Sequence, residues 1–425
     1  MNFKLTEIGE LPFEWEVDTM ENALSEIIDY RGKTPVKSET GIVTLSAKSV
    51  KDGYIDYSKA YFISESTYQK FMVRGFPRKG DILLTTEAPL GLVARLDREK
   101  VGIAQRLLTL RGKKEYLLND YLMYYLMSNE GKHQLTSRQS GTTVTGIKQK
   151  EFRKCLISIP PFEEQKAIAH ILSTLDDKIE VNNQINKPLE NMAQAIFKQW
   201  FVDFEFPNED GEPYKSNGGD MVESEQGMIP KGWDVGKLDD IATIVMGQSP
   251  KGTSYNEVGE GEVFYQGRTD FSSRFPIRRL FTTEPKRMAN DGDVLMSVRA
   301  PVGDLNVANE RCCIGRGLSA ISSSADLSSY ILYVMHDLRE RLNVYNGEGT
   351  VFGSINQKDL KSIKVISSCD NKTEIAFDDL IQPIDRMIRN NEDETRRLIN
   401  LRDRLLPKLL SGEIRVPLDE EGDAS

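Results

Sequence analysis

The sequence resembles itself, and this duplication limits the possible folds more than any other feature. Leu11-Pro12-Phe13-Glu14-Trp15-Glu16-Val17 matches Ile229-Pro230-Lys231-Gly232-Trp233-Asp234-Val235 at an offset of 218. Gly80-Asp81-Ile82-Leu83 returns as Gly292-Asp293-Val294-Leu295, and Ala88-Pro89-Leu90-Gly91 as Ala300-Pro301-Val302-Gly303, both at 212. Gly141-Thr142 and Ile147-Lys148-Gln149-Lys150-Glu151-Phe152 return at 208 as Gly349-Thr350 and Ile355-Asn356-Gln357-Lys358-Asp359-Leu360, and there Asn182-Asn183 falls on Asn390-Asn391. The order is kept while the offset drifts by ten residues, as small loop deletions would produce. A unit of about two hundred residues occurs twice, in a chain whose 425 residues exceed what one core usually organises.

Each unit reads as a mixed domain followed by a long helix. Short apolar runs such as Asp81–Thr86 and Asp293–Val298 are bounded by Gly, Pro and Asp, which signals strands. Helical stretches, Tyr116 to Asn129 and Leu327 to Arg341, lie between them, so the class is α+β. Behind each domain the pattern changes. Ile168, Leu172, Leu175, Ile179, Asn182, Asn186, Leu189, Ala193, Ile196 and Trp200 alternate steps of three and four. Phe377, Leu380, Ile384, Met387, Asn391, Glu394, Leu398, Leu401 and Leu405 do the same. A narrow seam of this kind is buried by pairing two helices as a coiled coil, with seam Asn residues setting register. One amphipathic helix lying on its own domain is the alternative. Pro188 and Pro383 fall within the seams, where each is expected to kink or break its helix. These signals divide the chain into domains at 1–160 and 231–375, helix regions at 161–205 and 376–412, an exposed linker at 206–230 and an acidic tail at 413–425.

Charge is distributed as unevenly as structure. The chain carries a net −10, yet residues 31–160 hold 23 Lys/Arg against 12 Asp/Glu, whereas 201–240 hold 3 against 11. Basic segments thus fall where globular domains are expected, a pattern compatible with a polyanionic partner. No window has the ~18 uncharged apolar residues of a membrane span, and the N-terminus has no signal-peptide core, so a cytoplasmic protein is expected.

A search for catalytic chemistry finds little. Cys155, Cys312, Cys313 and Cys369 form no C-x-x-C pair and have no neighbouring His, so no metal site is expected. Ile159-Pro160-Pro161-Phe162 resembles the Asn/Asp-Pro-Pro-Tyr/Phe motif of amino-methylating DNA methyltransferases. Ile159, however, cannot accept a hydrogen bond from a base amino group. Gly32-Lys33-Thr34 resembles the end of a P-loop, but the required earlier Gly is Ile27. A binder fits better than an enzyme. A self-sufficient DNA methyltransferase or nuclease, and a coiled-coil scaffold without a nucleic-acid role, are the other readings.

Several strings resemble a known family, the specificity subunits of type I restriction–modification enzymes. They are Pro161-Phe162-Glu163-Glu164-Gln165-Lys166-Ala167-Ile168, Leu175-Asp176-Asp177-Lys178-Ile179-Glu180 with Asn182-Asn183, the run from Met192 to Phe204, and the run from Leu405 to Ile414. The duplicated Pro-x-x-Trp openings and the paired Gly-Thr strings fit as well. The resemblance implies two target-recognition domains related by a pseudo-two-fold axis and joined by two long antiparallel coiled-coil helices. Each domain would read half of a split site in double-stranded DNA. It further implies no catalytic activity in this chain and two methyltransferase subunits as partners, with motor–nuclease subunits in the restriction form. S-adenosylmethionine, ATP and magnesium then belong to those partners, leaving no cofactor here.

Arg reads guanine and Asn or Gln reads adenine, while Lys mostly meets phosphate. Polar residues on turns beside strands are therefore the candidate DNA contacts. In the first copy these are Lys33, Lys48, Gln105, Arg106, Lys148 and Gln149; in the second they are Gln248, Gln266, Arg268, Arg299, Arg316, Asn356 and Gln357.

Overall fold

The computed structural model describes residues 2–30, 34–141, 145–346 and 353–417. Lys33, Thr142, the Gly349-Thr350 string and residues 418–425 of the acidic tail lie outside them. The chain forms two compact units, Met1–Val181 with Glu394–Ser425, and Asn182–Asp393. Each unit thus takes one globular part together with a stretch of both long helices, not simply a domain and the helix that follows it.

In the first unit an antiparallel sheet orders Leu24–Asp29, Leu107–Gly112, Ile82–Thr86 and Leu90–Arg95. Ile82–Thr86 is buried at every residue, which explains why it reads as a continuous run and not as an alternation. A second sheet joins Tyr61–Ile63, Ile42–Leu45 and Gly102–Ile103, the last two in parallel. Helix Asn119–Met127 packs on the first sheet, and its buried Tyr121 and Tyr125 donate to Ser158 O and Leu156 O of the strand Leu156–Ile159. Glu16–Thr19 pairs with Leu156–Ile159, closing the globular part just ahead of the first long helix.

The second unit repeats this plan. Ala242–Met246, Leu318–Ser323, Val294–Ser297 and Leu305–Val307 form the antiparallel sheet in the same order. The other sheet, here of five strands, again has one parallel pair, Glu262–Tyr265 with Cys312–Ile314, and helix Ser328–Asp337 supplies buried Tyr330 and Tyr333. Trp233–Lys237 pairs with Lys364–Ser368 just ahead of the second long helix.

The expected linker at 206–230 is structured. Met221–Ser224 and Gly227–Pro230 form a hairpin, and Phe206 stacks between Tyr214 at 4.7 Å and Trp233 at 5.1 Å. The Gly, Pro and acidic composition concealed two aromatics whose burial outweighs the segment's polarity. Trp15, the counterpart of Trp233, is fully buried and donates from Nε1 to Glu164 at 3.0 Å, and Arg415 of the tail binds the same carboxylate at 2.6 Å. Residues just beyond the second long helix therefore pack on the first unit's opening motif.

The long helices run Phe162–Phe197 and Lys372–Leu410. The first continues through Pro188 without a break, and the second is continuous across Pro383. In the first unit Asp176 meets Arg402 at 2.8 Å and Lys178 meets Glu394 at 3.0 Å. In the second, Asn391 donates to Asn186 at 2.8 Å and Phe197 packs edge-on against Phe377 at 5.5 Å. Partners recede along one helix as residues advance along the other, so within each unit the helices are antiparallel.

The first seam is as the spacing implies, from buried Ile168 to buried Trp200. The second is shifted at alternate positions. Leu380, Met387 and Leu401 are exposed, while Ile381, Ile388, Thr395 and Arg402 take the inward places. Two adjacent apolar residues at 380–381 and at 387–388 made both phases readable, and only packing distinguishes them. The corrected seam matches the first at one constant offset, 209, which sets Asn182 against Asn391 and Ala193 against Arg402. Ile388→Ala should accordingly destabilise by about 2–4 kcal/mol, whereas Met387→Ala should stay within about 0.5 kcal/mol. Urea unfolding of the two variants checks this, and equal losses would contradict the assigned phase.

Candidate nucleic-acid interface

In both units the candidate contacts gather where the strands of the two sheets end in turns, and the same main-chain hydrogen bonds hold those turns. Ala104 N donates to Leu45 O in the first unit, and Gly315 N to Tyr265 O in the second, both at 2.8 Å. Thr86 N donates to Arg106 O and Ile147 N to Thr86 O; Val298 N donates to Gly317 O and Ile355 N to Val298 O. Bridges Glu87–Gly146 and Arg299–Ser354 also correspond. These matched bonds align Glu87 with Arg299, Gln105 with Arg316, and Gln149 with Gln357, and counting three residues on from Leu45 and Tyr265 sets Lys48 opposite Arg268.

The side chains divide by what they already do. Gln149 Nε2 donates to Ile27 O, and Gln357 Nε2 to Ile244 O, both at 3.0 Å, so this pair ties a short helix to the edge strand in each copy. Asn356 caps the helix Gln357–Lys361 through Asp359 N at 2.9 Å. Gln105 donates to Thr34 at 3.1 Å. Arg106 holds φ +74°, a conformation side-chain-bearing residues seldom adopt, and pairs with Glu87 at 2.7 Å. Arg268 is bound to Asp304. Lys48, Lys148, Gln248, Gln266, Arg299 and Arg316 are exposed. Among the described residues, the Arg299 and Arg316 guanidinium groups have no hydrogen-bond or ion-pair partner. Lys33 cannot be placed, as it lies outside the described residues.

The structure brings Gln105, Arg106, Lys148 and Gln149 to one end of the first unit's sheet. Lys48 stands on the adjoining turn after Ile42–Leu45. In the second unit Gln248 N bonds Ile314 O at 2.9 Å and Arg316 N bonds Ser249 Oγ at 3.2 Å. These bonds place Gln248, Gln266 and Arg316 around a single turn, with Arg299 two residues beyond the end of the strand Val294–Ser297.

Sequence reasoning missed Glu87, although the Gly80–Gly91 match to Gly292–Gly303 sets it opposite Arg299. It also missed an ionic cluster in each unit, half-buried in the first and built on buried Arg274 in the second. In the first unit Asp176 accepts from Tyr124 Oη at 2.8 Å and from Arg402 at 2.8 Å. In the second, Asp385 accepts from Tyr333 Oη at 2.9 Å, from Ser329 at 2.7 Å and from Arg274 at 2.5 Å. The Asp–Tyr pair is thus duplicated, but the cation comes from a long helix in one copy and from a domain loop in the other. Ala193, the counterpart of Arg402, is buried and supplies no cation in the second copy. Around Arg274, burial pushes the Glu190 carboxyl above the usual range, with the guanidinium opposing the shift. His336, stacked on Tyr333, is pushed down to about 4 by burial, aided by Arg274 and Arg339.

Among the described residues, no three His, Cys, Asp or Glu side chains are placed to hold a metal ion, and no helix is long and apolar enough to cross a membrane. Burial raises the Cys155 thiol to about 11 and the Cys312 thiol to about 12, with Cys313 also raised, so these three are poor nucleophiles.

Comparison with known proteins agrees with this arrangement. The family model for the type I restriction modification DNA specificity domain matches twice, over residues 16–191 and 230–382. A Methanocaldococcus jannaschii protein named for the MjaX type I restriction enzyme specificity subunit is 32% identical, over 98% of this chain and 97% of its own. The MjaIX specificity subunit of the same organism is 29% identical over 97% of this chain and 96% of its own. The solved structure of a type I system S subunit from M. genitalium shares the fold, with a TM-score of 0.57 at 18% identity over 96% and 97% of the two chains. Two family domains on a duplicated scaffold, matched along nearly its whole length, place this chain among the DNA specificity subunits of type I restriction–modification systems.

Proposed function

We propose that each copy of the scaffold reads one half of a split DNA site, leaving an unread gap between the halves. The observation that carries this reading is the matched set of main-chain bonds beneath turns whose side chains differ. Identical supports with different exposed residues suit one mode of docking applied to two base sequences. The chain performs no chemistry in this reading. It positions two methyltransferase subunits on DNA in the cytoplasm, and motor–nuclease subunits join in the restriction form. S-adenosylmethionine serves the former, and ATP with magnesium the latter. The net charge of −10 is compatible with DNA binding because basic partner surfaces can supply phosphate contacts.

Selection from random duplexes by the chain assembled with methyltransferase subunits tests the proposal. Two short fixed sequences at constant separation are expected. A single contiguous site, or methylation by the isolated chain, would contradict it.

A further inference from the structure

The aligned copies offer a way to tell base contacts from phosphate contacts without a bound duplex. Phosphates are the same in every sequence, so a position that meets phosphate should stay cationic in both copies. A position that meets bases is free to change its chemistry with the half-site. Lys48 and Arg268 are basic in both copies and fit the first description. Two other aligned positions fit the second. Glu87 stands where Arg299 stands, and Gln105 where Arg316 stands.

The physical state of these four side chains differs as much as their identity. Glu87 is held by Arg106 at 2.7 Å, and Gln105 by Thr34 at 3.1 Å. Arg299 and Arg316 are exposed, and no described residue binds their guanidinium groups. Their backbones are nonetheless fixed. Ile355 N and Val298 N donate along the chain of bonds Ile355–Val298–Gly317, at 3.1 and 2.9 Å. Gly315 and Gly317 press against the Gln266 backbone so closely that an added Cβ would lie 2.8 and 2.9 Å from Gln266 O. These are two free planar forks on anchored backbone flanking the Val298–Gly317 bond, and such forks can donate to guanine O6 and N7 in bidentate fashion.

We infer that Arg299 and Arg316 read guanine in the half-site of the second unit, and that the first unit has no arginine at these two positions to do so. This rests on the proposed split-site reading and adds to it the base class of one half.

Arg299→Gln and Arg316→Gln, each in the full chain assembled with methyltransferase subunits, test the inference by sequencing the sites methylated in a random duplex library. The unaltered chain should require guanine in one half-site. Each variant should lose about 5- to 150-fold discrimination at one such guanine, with the other half-site and the melting temperature unchanged. Equal weakening on all sequences with a shallower salt dependence would mark a phosphate contact and overturn the inference. So would altered preference in both halves, or a split site that neither variant affects, and in that last case the split-site reading itself would stand. Failure to find any split site would remove both.

Discussion

Arg274→Met is expected to destabilise the second unit by about 3–5 kcal/mol, as removal of one partner from a buried ion cluster does. Arg274 is only 5% exposed and faces Asp385 and Glu190, which come from the two different long helices. Its loss leaves two acids near each other with no cation between them, and only the Ser329 and Tyr333 hydroxyls still serve Asp385. The penalty belongs to the unpaired charges and not to missing volume. Arg274→Met with Asp385→Leu should therefore recover part of the loss, because it removes one of the two unpaired acids and leaves Glu190. The pH dependence has a definite sign. Burial already raises the Glu190 carboxyl, and an acid raised in the folded state destabilises it once ionised, an effect lost as pH falls and the acid is protonated. The gap between variant and wild type should shrink as pH is lowered from neutral toward the carboxylate range. Urea unfolding followed by a second-unit signal checks this. A single-variant loss below about 1 kcal/mol, or a gap that widens in acid, would contradict the assignment of this cluster as a buried ionic anchor.

Much of this architecture was legible before any coordinates. The offsets that match Gly80–Gly91 to Gly292–Gly303 and Ile147 to Ile355 identify positions that prove structurally equivalent. The first seam was also read in the correct phase, although apolar Val181, Ile185 and Met192 stand beside it and are exposed. The second seam was misread at 380, 387, 394 and 401 because Leu380-Ile381 and Met387-Ile388 allow either phase. The linker was misjudged because Phe206 and Tyr214 are sparse among acids and glycines. Their partner, Trp233, lies downstream in another segment. Among the candidate contacts, no spacing rule separates Gln149, whose amide binds Ile27 O, from an unoccupied glutamine such as Gln248. The Arg274 cluster was invisible for the same reason, since its members are spread from residue 190 to residue 385. Periodicity reports what a segment does along its own length, and long-range ion pairing leaves no such trace.

The central claim is that two copies of one support read two half-sites independently, and exchange of one reader tests it most directly. Replacing residues 31–155 with the matching part of a relative transfers the Leu45–Ala104, Thr86–Arg106 and Thr86–Ile147 bonds as one block. The Leu156–Ile159 strand and the long helices stay behind. Many bonds cross the junction, among them the ladder of Leu24–Asp29 with Leu107–Gly112, Gln149 to the carbonyl of Ile27, and Tyr124 Oη to Asp176, so the relative chosen should keep Gln149 and Tyr124. The measurement is the sequence of sites methylated in a random duplex library by the exchanged chain assembled with its methyltransferase subunits. The account predicts new bases in one half-site, with the other half and the gap length unchanged. A change in both halves, or in neither, would contradict it.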